Sequence, residues 1–184
     1  MNKTFRLFLS STFSDFTTER EILQSRVFPE IRKYCAEKGG FSFQPIDLRW
    51  GVSAEAQLDQ KTLELCLNEV HSCKSHPVPN FVILAGDRYG WIPLPYAVEK
   101  FEFESLLEHV TDEEAVALGQ WYEEDRNAIP TSYILKERSG KYEEYEVWAE
   151  LEEHLRAVLQ RAARAANLPS EAVERYFLSA TEAE

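Results

Sequence analysis

Three strand-like runs, each followed by a polar cluster, form the most regular pattern of this sequence. They cover residues 5–9, 41–48 and 81–85, and the segments between them are long enough for helices. This alternation predicts parallel strands whose carboxyl ends share one side of a sheet. Open α/β sheets bind ligands in the crevice beyond those carboxyl ends. The pattern therefore predicts an α/β fold and the place of its ligand pocket.

Pro45, within the second run, indicates the order of the strands. Proline lacks a backbone N–H, so it is tolerated in a sheet mainly on an edge strand. A second strand at the edge fits the flavodoxin-like order 2-1-3, in which the crevice lies between the first and third strands. We therefore predict a three-layer, flavodoxin-like and mostly parallel sheet.

Helical spacing of apolar residues predicts the segments between and after these strands. The first helix starts near Ser14 or Asp15, is kinked by Pro29 and ends at Gly39-Gly40. The next runs from about residue 58 to 73, with its inner stripe formed by Leu63, Cys66, Leu67 and Val70. Beyond Trp91 the sequence predicts a short strand at 131–135, a long helix at 145–166 and a helix at 171–177 capped by Ser170.

The distribution of charged residues along the chain limits the class of partner that the protein can bind. The net charge is −12. Residues 1–95 hold 11 basic and 11 acidic side chains, whereas residues 96–184 hold 9 basic and 21 acidic ones. An acidic half argues against nucleic acid, because binding to a phosphate backbone rests on lysine and arginine. Either a solvated helical surface or a docking face for a basic protein partner explains the asymmetry.

The remaining composition predicts a cytoplasmic protein with no membrane partner. No apolar run approaches the roughly 20 residues of a membrane span, and the start shows no signal peptide. Three cysteines without a framework spacing favour a reducing compartment. His71, Cys73 and His76 do not predict a metal site, because residues two apart on a helix point to different faces.

The candidate pocket residues follow the ends of the three strands. Known phosphate-loop and nucleophile-elbow motifs do not occur. The side chains predicted to surround one crevice are Ser10, Ser11, Thr12, Asp47, Arg49, Trp50, Asp87, Arg88 and Tyr89. Arginines there can clamp a phosphate or carboxylate, and we expect Arg88 to be held by Asp15 or Glu19. The alternative is that these polar side chains only cap helices and pair with one another.

Several separated motifs resemble a known family. They read LSSTFSDF at 9–16, DLRWG at 47–51, ELCLNEV at 64–70 and GDRYGW at 86–91. This resembles the TIR-like domain, formerly of unknown function, at the N-termini of NACHT/WD-repeat and related STAND ATPases. The segments around 122–133 and 176–184 resemble the longer animal version, so the likeness covers essentially the whole chain.

The resemblance implies one TIR-like domain over residues 1–184, within a longer STAND protein. Its core would be 4–92 plus a C-terminal element 178–184, separated by a helical, acidic insertion at about 93–177. The partners implied are the protein's own ATPase and repeat domains and either a second copy or another protein. The first hypothesis is that the domain is an effector or adaptor that signals by associating with further copies of itself or by recruiting a protein partner.

The alternative implied by the resemblance is a TIR-like NAD glycohydrolase activated by oligomerisation. Under this hypothesis no cofactor is firmly bound, and NAD is the substrate. Its catalytic glutamate would be Glu182 or Glu184, because TIR enzymes carry theirs on the helix after the third strand. Ser179 and Glu182 have capping-box spacing, yet we expect 179–184 to be poorly ordered because the helix they announce does not follow.

Overall fold

The computed structural model describes residues 3–12, 15–48 and 61–184. The described residues form two compact units. Unit 1 comprises the described residues between positions 1 and 52, together with Glu64–Trp91 and Ser179–Glu184. Unit 2 comprises the described residues between positions 53 and 63, together with Ile92–Leu178. Each unit has its own sheet and its own hydrophobic core.

Unit 1 is built from short strands alternating with helices. Its elements are β1 (Thr4–Ser11), α1 (Thr17–Ile22), a π-helical segment (Leu23–Val27), α2 (Phe28–Gly39), β2 (Ser42–Ile46), α3 (Thr62–Lys74, which belongs to unit 1 from Glu64 onwards) and β3 (Phe81–Leu84). A short helix at the end of the chain also belongs to this unit and is described with the candidate site. The strands are parallel in the order β2-β1-β3. The predicted order is therefore confirmed, and Pro45 lies on an edge strand.

Both faces of β1 are covered, because successive side chains of a strand point to opposite faces. Phe8 packs with Cys66, Val70 and Cys73 of α3. Leu7 and Leu9 pack on the other side with Phe28 of α2. Cys66 and Cys73 are thus buried core residues, as the helical spacing predicted.

The first helix differs from the prediction in its start and in its irregularity. It begins at Thr17 after Phe16, whose φ of 59° places it in the left-handed region, and no side chain caps it. The irregular part is the π-helical segment that precedes Pro29, while Pro29 itself occupies the first turn of α2. Proline is tolerated in a first turn because its missing N–H would have no helical partner there.

Unit 2 combines helices with an antiparallel sheet. Its elements are β4 (Ala97–Glu99), α4 (Lys100–Leu107), α5 (Asp112–Trp121), β5 (Tyr122–Asp125), β6 (Ser132–Leu135), a 3-10 segment (Gly140–Glu143), α6 (Tyr145–Ala165) and α7 (Ser170–Glu174). The strands are ordered β4-β6-β5. The predicted strand at 131–135 is confirmed as β6, whereas β4 and β5 were not predicted, so the segment is not only helical. The predicted cap at Ser170 is wrong, since Ser170 is the first residue of α7 and makes no cap bond.

Part of the acidic excess of unit 2 is neutralised locally. Glu124 lies between Lys100 and Arg126, at 2.6 and 2.9 Å. Glu102, which is buried, is paired with Arg175 at 2.6 Å. The more exposed pairs, those of Glu124 with Lys100 and Arg126, contribute little to stability. They do reduce the charge that a basic partner would meet on this unit.

Candidate functional site

Three adjacent residues at the end of β1 make three separate sets of contacts. Ser10 and Ser11 are buried, and Thr12 is partly buried. Their side chains alternate between the two faces of the sheet, because they belong to or follow an extended strand. Ser10 therefore faces α3, Ser11 faces the first helix, and Thr12 reaches the residues just before that helix.

Ser11 belongs to a buried ionic network at the carboxyl edge of the sheet. The Arg20 guanidinium is paired with Asp47, and their side chains are 3% and 1% exposed. Arg20 Nε also donates to Ser11 Oγ at 3.0 Å. A buried ion pair of this kind requires additional hydrogen bonds to offset its desolvation. Ser11 and Asp47 thus hold Arg20, a residue that strand-end reasoning did not select.

Thr12 belongs to a second, more exposed cluster. Its hydroxyl donates to Asp15 at 2.7 Å, and the Asp15 carboxylate forms an ion pair with Arg88 Nε at 3.3 Å. The predicted carboxylate partner of Arg88 is therefore confirmed as Asp15. The Arg88 side chain is 67% exposed, so it can turn towards an anion from solvent. Asp87 is also exposed.

The segment predicted to be poorly ordered is instead a helical turn, α8 (Ala180–Ala183), with an intact capping box. Ser179 caps it by accepting from the N–H of Glu182, whose carboxylate accepts from the N–H of Ser179. The N–H of Ala180 donates to the carbonyl of Trp91 at 2.9 Å. These bonds fix the start of α8 beside the loop that follows β3, so the prediction of disorder was wrong.

Glu184 is held on the α3 face of the sheet by two side chains of unit 1. Its carboxylate accepts from the Ser10 hydroxyl and is hydrogen-bonded to the Cys66 thiol. Burial raises the pKa of Glu184, and the bonds from Ser10 and Cys66 and the charge of Arg20 offset this only partly. Burial and the nearby Glu184 charge raise the pKa of Cys66 to about 12. The thiol is therefore a neutral donor rather than a nucleophile.

Glu182 has the opposite environment. A hydrogen bond from Tyr89, together with the N–H of Ser179, lowers the pKa of Glu182. Tyr89 is exposed, and its own pKa is raised by the same hydrogen bond. The two candidate glutamates thus differ in role: Glu182 completes a helix cap, whereas Glu184 is a partly buried acid.

Glu184 also contributes to a half-open depression of about 160 Å³ on the face of β3. This volume is that of a small group rather than a dinucleotide, since ligand pockets are typically about 300–1,000 Å³. The depression begins at the amino end of β3 and does not include the other predicted pocket residues. Its lining consists of Val70, Cys73, Lys74, Asn80, Phe81 and Glu184.

The structure thus distributes the predicted residues among several small clusters. Asp47 is used in the buried ion pair, and Ser10 is bound to Glu184. Arg88 and Tyr89 remain at the surface near the start of α8. Arg49 and Trp50 lie outside the described residues. Within the described ranges, no group of three metal-ligating side chains is arranged for an ion, and no helix could span a membrane.

The contrast between the two glutamates predicts opposite effects on stability. A raised folded-state pKa means that the folded protein holds the Glu184 proton more tightly, so stability falls as the pH rises past the ordinary value of 4.5. Glu184→Gln is therefore expected to raise the free energy of unfolding at neutral pH and to leave it unchanged in acid. Urea denaturation at the two pH values measures this.

Glu182→Gln is the matched control for that measurement. Because the pKa of Glu182 is lowered on folding, its charge stabilises the fold at neutral pH, and this contribution is lost on acidification. Glu182→Gln should therefore destabilise the protein at neutral pH, by a small amount because the group is solvent-exposed. Destabilisation by both variants would contradict the assignment of Glu184 as a desolvated acid.

Comparison with known proteins identifies related sequences of much greater length. A family model described as a domain of unknown function, DUF4062, matches residues 6–160. The chain is similar to NACHT and WD repeat domain-containing protein 2 of Mus musculus, with 31% identity over 208 residues that cover 99% of the chain and 12% of that protein.

Two further relatives share parts of the chain. NACHT domain- and WD repeat-containing protein 1 of Mus musculus is 37% identical over 122 residues, covering 65% of the chain and 8% of that protein. Telomerase protein component 1 of Mus musculus is 38% identical over 94 residues, covering 51% of the chain and 3% of that protein. The chain thus spans 12% or less of the length of each. No solved structure matches it.

Proposed function

The chain belongs to the DUF4062 family, and on this basis we propose that it is the N-terminal effector or adaptor domain of a NACHT-type STAND ATPase. It signals when the ATPase oligomerises, either by associating with further copies of itself or by recruiting a protein partner. The observation that carries this proposal is the similarity to a NACHT and WD repeat protein over 99% of the chain.

The fold and charge are consistent with this role. The 2-1-3 order of parallel strands supports a TIR-like, flavodoxin-like assignment. The Arg20 guanidinium and the Thr12 hydroxyl are bound within the domain, by Asp47 and Asp15 respectively, which is consistent with a structural role for these residues. The excess of acid after residue 96 favours a protein partner over nucleic acid. We propose that the domain acts in the cytoplasm without a membrane partner.

A second candidate is a TIR-like NAD glycohydrolase, and the observation that favours it is the position of the Glu184 carboxylate against Ser10, near the carboxyl end of β1. Such an enzyme breaks the bond between ribose C1′ and the nicotinamide nitrogen, and the bonding electrons leave with nicotinamide. Water then adds to C1′ and releases a proton. An ionised carboxylate would stabilise the positive charge that develops on the ribose, while Arg49 or Arg88 would bind the pyrophosphate.

We rank the glycohydrolase second for two reasons. Burial raises the pKa of Glu184, which reduces the ionised fraction that charge stabilisation needs. The depression beside Glu184 has room for a nicotinamide-sized group and not for the whole dinucleotide. The adaptor function does not depend on either feature.

The test fuses the chain to an inducible oligomerising tag and asks whether the oligomer binds an untagged, separately labelled copy of the chain. We expect the oligomer to bind free copies more strongly than the monomeric fusion does, because linked sites bind with avidity. The same samples are incubated with NAD, and nicotinamide is measured by chromatography. The adaptor function predicts no release of nicotinamide.

Nicotinamide release that oligomerisation induces and Glu184→Gln abolishes would contradict the adaptor function and assign the domain as a glycohydrolase. An oligomer that neither binds free copies nor releases nicotinamide would contradict self-association and the glycohydrolase, and would leave recruitment of a protein partner as the form of the adaptor function. Glu182→Gln is the control in the NAD assay, because Glu182 forms a helix cap and should be dispensable for chemistry.

A further inference from the structure

The structure assigns Tyr145 as a phosphorylation site for a tyrosine kinase, and Arg138 as the side chain that holds the resulting phosphate. This inference goes beyond the proposed function and does not depend on whether the domain is an adaptor or a glycohydrolase. It rests on a half-buried arginine of unit 2 whose Nε has no hydrogen-bond partner among the described residues, and on the exposed tyrosine beside it.

Arg138 is a half-buried cation whose charge is only partly balanced. Its Nε is buried and, among the described residues, has no hydrogen-bond partner. The guanidinium lies 5.8 Å from the centre of the Trp148 ring, a contact that attracts the charge but does not accept in the plane of the guanidinium as a carboxylate or phosphate does. Burial lowers the pKa of Arg138, and the nearby Glu152 and Tyr145 offset this only partly. A buried donor without an acceptor is costly, so an anion added at this place would stabilise the fold.

Tyr145 is placed to bring that anion to Arg138. It is the first residue of α6, and Trp148 follows three residues later, a spacing that makes the two side chains neighbours on one face of the helix. Arg138, which lies over the Trp148 ring, is therefore beside Tyr145, and the tyrosine is among the groups that act on its charge. The Tyr145 side chain is 69% exposed, so an enzyme can reach its hydroxyl.

The acidic residues around Tyr145 determine how an anion reaches Arg138. Glu143, Glu144 and Glu146 are exposed, and their charges repel a free anion. A phosphate attached to Tyr145 overcomes this repulsion, because covalent attachment gives it a high effective concentration. The same carboxylates attract a kinase with a basic substrate groove, since kinases select substrates by such charge patterns. The surroundings thus favour enzymatic transfer over the binding of free phosphate.

The chemical step is the transfer of a phosphoryl group from ATP. The γ-phosphorus of ATP forms a bond to the Tyr145 oxygen, its bond to ADP breaks, and the hydroxyl proton is released. The product carries nearly two negative charges at neutral pH. It lies at the start of α6, where Glu144 makes no side-chain cap bond and where negative charge is favourable. We expect Arg138 to bind it through charge-assisted hydrogen bonds.

Tyr142 is an internal control for the choice of tyrosine. It is followed by Glu143 and Glu144, so its sequence context is as acidic as that of Tyr145. Tyr142 is, however, half-buried and packs edge-on against Trp121, with 4.9 Å between the ring centroids. Tyr145 should therefore be modified in the folded chain, and Tyr142 should not.

The first test incubates the folded chain with ATP and a tyrosine kinase that prefers acidic substrates, and locates the phosphate by mass spectrometry. One phosphate at Tyr145 is expected. Tyr145→Phe should abolish the labelling, and Tyr142→Phe should leave it unchanged. Equal labelling of Tyr142, or no labelling of Tyr145, would overturn the inference. A longer form of the protein in which Tyr145 is not labelled would also overturn it, because other domains would then cover this tyrosine.

The second test asks whether Arg138 holds the phosphate. A tyrosine phosphatase should remove the phosphate from Arg138→Gln about tenfold faster than from the unchanged chain, because a hydrogen bond between charged groups protects it. Lys141→Gln is the matched control, since it removes the same charge from the neighbouring 3-10 segment, and it should leave the rate unchanged. Circular dichroism checks that the variants fold.

Arg138→Lys keeps the charge at this position and serves if Arg138→Gln does not fold. It should lose only part of the protection, because a lysine cannot form the paired hydrogen bonds of a guanidinium. Phosphorylation should also raise the melting temperature of the unchanged chain by more than that of either Arg138 variant. Equal rates of dephosphorylation for the Arg138 variants and Lys141→Gln would overturn the role of Arg138.

Discussion

Replacing Arg20 by methionine is expected to lower the free energy of unfolding by about 3–5 kcal/mol, the cost of removing one member of a buried ion pair. The substitution leaves the Asp47 carboxylate, which is 1% exposed, without its guanidinium partner. It also removes the donor of the hydrogen bond to Ser11. Chemical denaturation followed by circular dichroism measures the loss.

Arg26→Met is the matched control, since Arg26 lies in the same helical run and is exposed. Its effect should be within about 0.5 kcal/mol. The double variant Arg20→Met with Asp47→Leu should recover much of the loss, because it leaves no unpaired charge in the interior. If Arg20→Met is as stable as the control, the buried network does not hold the first helix to the sheet.

Replacing Trp148 by alanine is the second large effect that we expect, with a loss of about 3–5 kcal/mol in the stability of unit 2. Trp148 is 3% exposed and packs edge-on against Trp121 at 4.9 Å between ring centroids. Its ring also lies 5.8 Å from the Arg138 guanidinium. Removing the indole leaves a cavity and exposes that charge to a void.

Tyr145→Ala is the control for the tryptophan variant, because Tyr145 begins the same helix and is 69% exposed. Its effect should be well under about 1 kcal/mol. Hydrogen exchange distinguishes a local loss from a general one, since protection should fall in α6 and α5 first. Equal losses for Tyr145 and Trp148 would show that the core around the indole is not tightly packed.

The parts of the fold that the sequence predicted are those with a strong local signal. Pro45 placed β2 at the sheet edge through the chemistry of one residue, and the spacing of Cys66 and Val70 identified the inner face of α3. The strands of unit 2 were mostly missed. β5 reads Tyr122-Glu-Glu-Asp125, and its pairing with β6 overrides a sequence that has little preference for a strand.

The candidate site was less predictable because its key contacts join residues far apart in the chain. Ser10 was selected as a strand-end residue, but its partner Glu184 lies at the other end of the sequence. Arg20 was overlooked because arginine is usually exposed. One signal could have found it: Arg20 lies three residues before Leu23, and both face inward on the first helix.

The bond between the Ala180 N–H and the Trp91 carbonyl, 2.9 Å long, also bears on how this sequence can change in length. The chain leaves unit 1 after Trp91 and returns to it at Ser179. Residues 92–178 are therefore an insertion whose two ends lie next to each other in unit 1. Closing such a loop becomes more costly by only about 0.6 kcal/mol for each doubling of its length. We therefore expect that the residues between Trp91 and Ser179 can be exchanged, shortened or lengthened without a change in the sheet of unit 1.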